Sequence, residues 1–158
     1  MQIILGIDPG SRITGYGVIR SDGSRHQYIA SGVIRTSAEL LPQRLGEIFK
    51  AVSALIDQHL PGEIAIEEVF MARNPNSALK LGQARGAALA AIAHKGIQAI
   101  GQYSPRRIKQ AIVGYGAAEK HQIQHMIKCL LNLTGTLSKD AADALAVAIC
   151  HAQHRGWV

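Results

Sequence analysis

The chain has 158 residues, 47% hydrophobic and only 4% aromatic, with 17 Lys and Arg against 11 Asp and Glu for a formal net charge of +6. That length suits one α/β domain, read as spanning 1–158, and the apolar content excludes wholesale disorder. The excess of positive charge favours a polyanionic partner, while the absence of any apolar stretch near the roughly 20 residues of a membrane helix, and of a basic segment before the first apolar run, points to a soluble, cytoplasmic protein with no membrane partner.

Ile3-Ile4-Leu5-Gly6-Ile7 is a continuous apolar run stopped by Asp8-Pro9-Gly10, the pattern of a buried strand ending in a turn. Thr14 to Arg20 reads as a second strand, and Gln27 to Ile34 as a third after the turn Ser21-Asp22-Gly23-Ser24. Connections this short predict antiparallel neighbours. From Leu41 to Leu60 the apolar period becomes helical, with Leu41, Leu45, Ile48, Val52, Leu55 and Ile56 on one face, and Pro61-Gly62 ends it. Glu63 to Glu67 is a short fourth strand, and the intervening helix predicts a right-handed crossover that sets it parallel to the first. An Ala-rich helix follows from Ser77 to His94, then a fifth strand at Ile97 to Ile100. Ser104-Pro105 opens a short helix to about Val113 with a cap residue and Pro at the first helical position. Helices from about Glu119 to Leu131 and about Lys139 to His154 complete the chain. The expected fold is α/β: a five-stranded mixed sheet, three antiparallel N-terminal strands and two further parallel ones, flanked by helices. The two cysteines, Cys129 and Cys150, lie in apolar helical stretches and read as small core residues, with no disulfide framework.

Asp8 ends the first strand and Glu67 the fourth. If these strands are parallel, both carboxylates emerge at the carboxyl-end rim of the sheet, where open α/β sheets place their sites. Asp140 and Asp143, three apart on an otherwise apolar helix, share one face. Taken singly, each acid has a plainer explanation. Asp8 suits a turn, Asp140 and Asp143 suit a helix dipole, and Glu67 or Glu68 suits a solvated strand end. Together, four carboxylates from three elements would repel one another unless a cation sat between them. Oxygen ligands select magnesium or manganese, and a pair of such ions roughly 3.5–4 Å apart can activate water and stabilise the leaving oxygen in phosphodiester cleavage.

Ile4 to Ser11 with Thr14-Gly15-Tyr16-Gly17, Ala65 to Ala72, Ser77 to Gly86, and Asp140 to Ala146 resemble, in order, the motifs of the RuvC family of Holliday junction resolvases, across nearly the whole chain from about Ile3 to Ile149. The resemblance implies a ribonuclease H-like fold and an endonuclease acting in DNA recombination and repair. It implies Asp8, Glu67, Asp140 and Asp143 as metal-binding catalytic acids, with Glu68 outside the match. It also implies Mg2+ as cofactor, with Mn2+ as a substitute and two ions per site on DNA. The same resemblance implies a homodimer that nicks two opposed strands of a four-way junction, leaves ligatable ends, prefers particular short sequences, and works with the branch-migration proteins RuvA and RuvB.

Arg106, Arg107 and Lys109 cluster at a helix start, where free N–H groups already favour anions. Lys109 and Lys120 match family lysines near the active site, and phosphate contact is expected of them. Arg73, Lys80 and Arg85 are further candidates for backbone contacts, which position DNA and confer salt sensitivity without base specificity. By the resemblance, Phe70 stacks on an unpaired base near the crossover; a core position at the strand end is its alternative. His121 and His125, four apart, have spacing that suits zinc but no evident third ligand. His151 and His154 near a helix C-terminus need no function. Three other functions compete less well: a nucleotide-binding relative of the actin and sugar-kinase superfold needs two such domains in a longer chain, a junction-binding scaffold without turnover would not need the full set of acids, and against a nuclease of ribosomal RNA precursors the Asp140-to-Ala146 motif and Phe70 favour the resolvase.

Overall fold

The computed structural model describes residues 1–68, 74–114 and 118–154. Its elements follow the expected order: β1 (Gln2–Asp8), β2 (Ile13–Ser21), β3 (His26–Arg35), α1 (Leu41–His59), β4 (Glu63–Glu67), α2 (Pro75–His94), β5 (Ile100–Tyr103), α3 (Pro105–Val113), α4 (Lys120–Leu131) and α5 (Lys139–His154). The sheet runs β3-β2-β1-β4-β5. β1 is antiparallel to β2 and β2 to β3, whereas β4 is parallel to both β1 and β5. Alternation along the strands divides the apolar residues between two faces. Leu5, Ile7, Val18, Ile64 and Ile66 pack under α1 and α2. Ile4, Ile19 and Ala65 pack under α3, α4 and α5. The same alternation turns Asp8 and Glu67 toward the α5 side, in step with Ile4 and Ala65.

Helix α5 is apolar almost all round, with Ala141, Ala142 and every residue from Ala144 to Ala152 buried. Such a helix must lie inside the protein, and glycines let it descend onto the sheet. A Cβ on Gly6 would stand 2.8 Å from the Ala148 backbone N, and one on Gly17 the same distance from the Leu145 N. A Cβ on Gly15 would strike the Asp140 backbone, and one on Gly101 would strike the His151 ring. These glycines lie on β2, β1 and β5, so they mark an oblique track along which α5 crosses the sheet. Ser138 caps its start, accepting from Ala141 N at 3.3 Å. The far end is held by a buried polar chain. His151 Nε2 lies 2.6 Å from Glu63 Oε2, and His151 Nδ1 lies 2.8 Å from the Tyr103 hydroxyl. A neutral imidazole donating from Nε2 to the carboxylate and accepting the tyrosine proton at Nδ1 satisfies both contacts. His151 is therefore a buried strut and more than the helix-end histidine expected from its place in the chain.

The structure moves three expected features. β5 begins at Ile100 and ends at Tyr103, where Ile97 to Ile100 was expected. Ile97 and Ile100 do pack on the core, but the strand is defined by its register with β4, which pairs Glu67 with Tyr103 through the polar Gln102. α2 starts two residues early because Asn74 caps it, accepting from Asn76 N at 2.9 Å, with Pro75 in the first turn. Cys150 is buried as expected, but Cys129 is exposed, since the buried face of α4 is Ile123, Ile127 and Leu131. No helix among the described residues is long and apolar enough to cross a membrane.

The glycine track predicts a contrast. Gly15→Ala should lower stability by about 1–3 kcal/mol through overpacking and weaken divalent-cation binding by displacing the first turn of α5. Gly46→Ala on α1, where an added Cβ meets nothing within 4 Å, should be neutral or stabilise by up to about 1 kcal/mol. Denaturant melts and cation titration of both variants check this. Equal stability and cation affinity in Gly15→Ala and the parent would refute the track.

Candidate metal centre

The turn after β1 fixes Asp8. Thr14 is buried; its hydroxyl donates to Gly10 O at 3.0 Å and accepts from Gly10 N at 3.2 Å, closing the Asp8-to-Thr14 turn on itself. The β1–β2 register sets Asp8 opposite Gly15, and the Asp140 backbone sits directly over Gly15. The start of α5 is thereby brought to the end of β1. Oxygens of Asp8, Asp140 and Asp143 all lie within 4.8 Å of one another. Glu67, at the end of the neighbouring parallel strand, is not in that 4.8 Å group, though it lies close enough to act on the Asp8 carboxyl. The strand end is tied down because Glu68 N donates to Tyr103 O at 2.8 Å, which extends the β4–β5 pairing by one residue and gives Glu68 a backbone role.

This crowding has an electrostatic signature. The Asp8 carboxyl is pushed up from 3.8 to about 8, first by burial, then by the hydrogen bond and charge of Glu67 and the charge of Asp140. Asp143 is pushed up to about 6, again first by burial and then by Asp8, with Lys120 and Lys139 opposing the rise. One of the acids must hold a proton to lie this close to the others. A donor set made entirely of half-buried carboxylates, whose mutual repulsion the nearby lysines offset only in part, fits a hard divalent cation, which would displace that proton.

A cleft opens beside the acids, lined by Glu67 and Asp143 and by Lys109 of α3 and Lys120 of α4. Two of the expected phosphate-contacting lysines therefore flank the carboxylates. Arg106 and Arg107 face a different groove with Gln110, Gln153 and His154, and the Arg107 guanidinium lies 5.7 Å over the Tyr103 ring. Arg85 is hydrogen-bonded to the Gln102 side chain. Lys80 is exposed on α2. Phe70 and Arg73 lie outside the described residues. His121 is paired with Glu119 at 3.3 Å, while His125 Nε2 approaches Cys129 Sγ at 3.6 Å.

Sequence reasoning missed Lys139. Its charge acts on Asp143, Asp140 and Asp8 from the first position of α5. Contact with Lys139 holds Lys120 below its ordinary value. A signal was available: a cation at the first position of a helix opposes the dipole and calls for a local explanation.

Residues 4–151 match the family model described as crossover junction endodeoxyribonuclease RuvC. Among curated proteins, a RuvC from Acinetobacter baumannii is 55% identical over 156 residues, covering 99% of this chain and 86% of that protein. One from Pseudoalteromonas atlantica is 59% identical over 151 residues, covering 96% and 87%. Among solved structures, Thermus thermophilus RuvC in complex with a Holliday junction substrate superposes with a TM-score of 0.92 at 33% identity, covering 98% of this chain and 95% of that one. The yeast mitochondrial Holliday junction resolvase Ydc2 superposes at 0.60 with 17% identity over 97% of this chain and 78% of that one, a likeness of fold.

The raised carboxyls fix a pH dependence. Between the unfolded value near 3.8 and the folded values of about 6 and about 8, the folded protein binds more protons than the unfolded chain, so these groups lose their stability advantage as pH rises. In chelator, Asp8→Asn should therefore melt above the parent at pH 8.5, with the gap narrowing toward pH 5. Added Mg2+ should raise the parent's Tm more at pH 8.5 than at pH 5. Thermal melts across that range decide it, and an Asp8→Asn variant no more stable than the parent at pH 8.5 would contradict the crowding.

Proposed function

The chain belongs to the RuvC family of crossover junction endodeoxyribonucleases, and we propose that it resolves Holliday junctions by paired nicks in two opposed strands, with Asp8, Glu67, Asp140 and Asp143 as the acids that hold its magnesium. The observation that carries this reading is the convergence of Asp8, near the start of the chain, with Asp140 and Asp143 of α5 within 4.8 Å, beside a cleft walled by Lys109 and Lys120. Bound Mg2+, for which Mn2+ would substitute and of which two ions would serve each site on DNA, supplies Lewis acidity at the attacking water and the leaving oxygen.

The chain's own residues do the positioning. Asp8 and Glu67 are fixed at adjacent strand ends, and Asp140 and Asp143 are fixed by the packed helix α5, so the acids need little reordering to bind cations. Lys109 and Lys120 place positive charge along the cleft, where a phosphodiester approaching the acids would otherwise meet only repulsion. Arg106 and Arg107 present a second basic strip on the other side of α3, suited to a neighbouring stretch of backbone, and Lys80 and Arg85 on α2 are assigned to more distant phosphates. Phe70 is assigned to stacking on an unpaired base and Arg73 to the backbone, both from their place just after Glu67. One site per chain and two strands to cut imply a homodimer. The outward face of α2, with Leu79 65% exposed, supports a second copy packing there. Action in the cytoplasm as one domain spanning 1–158, on junctions delivered by RuvA and RuvB, completes the proposal.

Asp8→Asn, Glu67→Gln, Asp140→Asn and Asp143→Asn should each reduce Mg2+-dependent nicking of a four-way DNA junction by at least about a hundredfold, while folding and junction binding persist. A structured RNA offered in parallel should stay intact. Nicking by all four variants at the parent rate would remove the assignment; RNA cleavage exceeding junction cleavage would redirect it to another substrate.

A further inference from the structure

The glycines of the sheet and the alanines of α5 set the height of that helix, but small residues raise few ridges to stop it sliding or turning. Something directional has to fix its course. At the far end this falls to His151, which is buried and rests on Gly101 of β5, where a Cβ would strike its ring. Its Nε2 lies 2.6 Å from Glu63 Oε2 and its Nδ1 2.8 Å from the Tyr103 hydroxyl. One side chain of α5 thus holds the first residue of β4 and the last residue of β5. The tie leads back to the acids. Glu63 and Glu67 are the two ends of β4, and Tyr103 is the register partner of Glu67 and accepts from Glu68 N at 2.8 Å. Along α5, Asp140 and His151 are eleven residues apart, about three turns, so they share the face that meets the sheet.

Building on the function proposed above, we propose that His151 is a positioning residue for the metal centre: by hydrogen bonding to Glu63 and Tyr103 it fixes the course of α5 across the sheet, and with it the placement of Asp140 and Asp143 against Asp8 and Glu67. A helix pressed close at Gly15 and tied at His151 has its line set by two points. Releasing the tie leaves it free to slide and turn along the glycine track, and Asp140 and Asp143 travel with it. A cation that bridges carboxylates of the helix and of the strand ends is sensitive to such shifts, because its ligand distances are narrowly set. The requirement at position 151 is for a side chain that donates to Glu63 and accepts from Tyr103. Glutamine meets it through its amide; alanine does not, and an apolar side chain would fill the space without direction.

The test compares the parent with His151→Ala, His151→Gln, Tyr103→Phe and Val52→Ala. Val52 is buried under α1, on the opposite face of the sheet, so its variant measures what general destabilisation does. Mn2+ affinity is measured by titration calorimetry without DNA, and single-turnover cleavage of a four-way junction across a Mg2+ series, both well below each variant's Tm. For His151→Ala the expected results are a Mn2+ affinity and a Mg2+ half-saturation weakened roughly tenfold, with junction affinity in chelator unchanged. Tyr103→Phe keeps the ring and loses one hydrogen bond. It should weaken both quantities roughly threefold, and it carries the test alone if His151→Ala does not fold. His151→Gln should recover most of the affinity, and Val52→Ala should lower the Tm with metal affinity as in the parent. Parent-like metal affinity in Tyr103→Phe and in a folded His151→Ala would mean that His151 only supports the fold, and the proposal fails. It fails also if Val52→Ala weakens metal binding as much, or if glutamine recovers none of it. Failure of the parent itself to cut the junction would instead overturn the functional reading, and the calorimetric affinities would still decide whether His151 places the acids.

Discussion

Everything about this site depends on how closely α5 approaches the sheet. Its backbone passes over Gly6, Gly15 and Gly17 at distances that leave no room for a Cβ, and its buried alanines present little bulk. A helix carrying larger side chains, or crossing ordinary strand residues, would ride higher, in keeping with the usual spacing between packed layers. Asp140 and Asp143 would then stand off from Asp8 by more than a shared ion can bridge. Small residues on both surfaces set the height of the helix, and the height of the helix sets the geometry of the acids.

The same closeness makes the acid cluster unfavourable when metal-free. Burial and mutual repulsion raise Asp8 and Asp143 well above the ordinary carboxyl range, and nearby lysines offset only part of the repulsion. The rest of the fold tolerates this because the site is anchored on both sides. The Gly10–Thr14 turn fixes the end of β1. The Glu63–His151–Tyr103 chain fixes the far end of α5, and Tyr103 also accepts from the Glu68 backbone directly after Glu67. Stability invested in these anchors holds like charges in a position they would not choose, which is how a preorganised cation site is built.

Much of this was legible in the chain. Apolar runs, turn residues and the change of period located the five strands and five helices of the described residues in order, short connections gave the antiparallel pairings, and the helical crossover gave the parallel one between β1 and β4. What misled was polarity standing in for structure. β5 was expected on the apolar Ile97-to-Ile100 run, whereas the strand continues through Gln102 because β4 dictates its register. Cys129 looked buried because its neighbours are apolar, yet the phase of α4 turns it outward. Lys139 entered only as the start of the last helix, since nothing local to it reveals that its charge bears on the acids.

The sequence by itself determined the elements and their order, because periodicity and turn chemistry are local properties written in consecutive residues. It determined that Asp140 and Asp143 share a helix face and that Asp8 and Glu67 end strands. Tertiary structure alone decided that Asp8, Asp140 and Asp143 meet within 4.8 Å, that His151 joins Glu63 to Tyr103, and that Lys109 and Lys120 line one cleft with Glu67 and Asp143. Those facts depend on the angle and depth at which α5 crosses the sheet, and that is a balance among many packing contacts between segments remote in sequence, with no single stretch of chain to encode it.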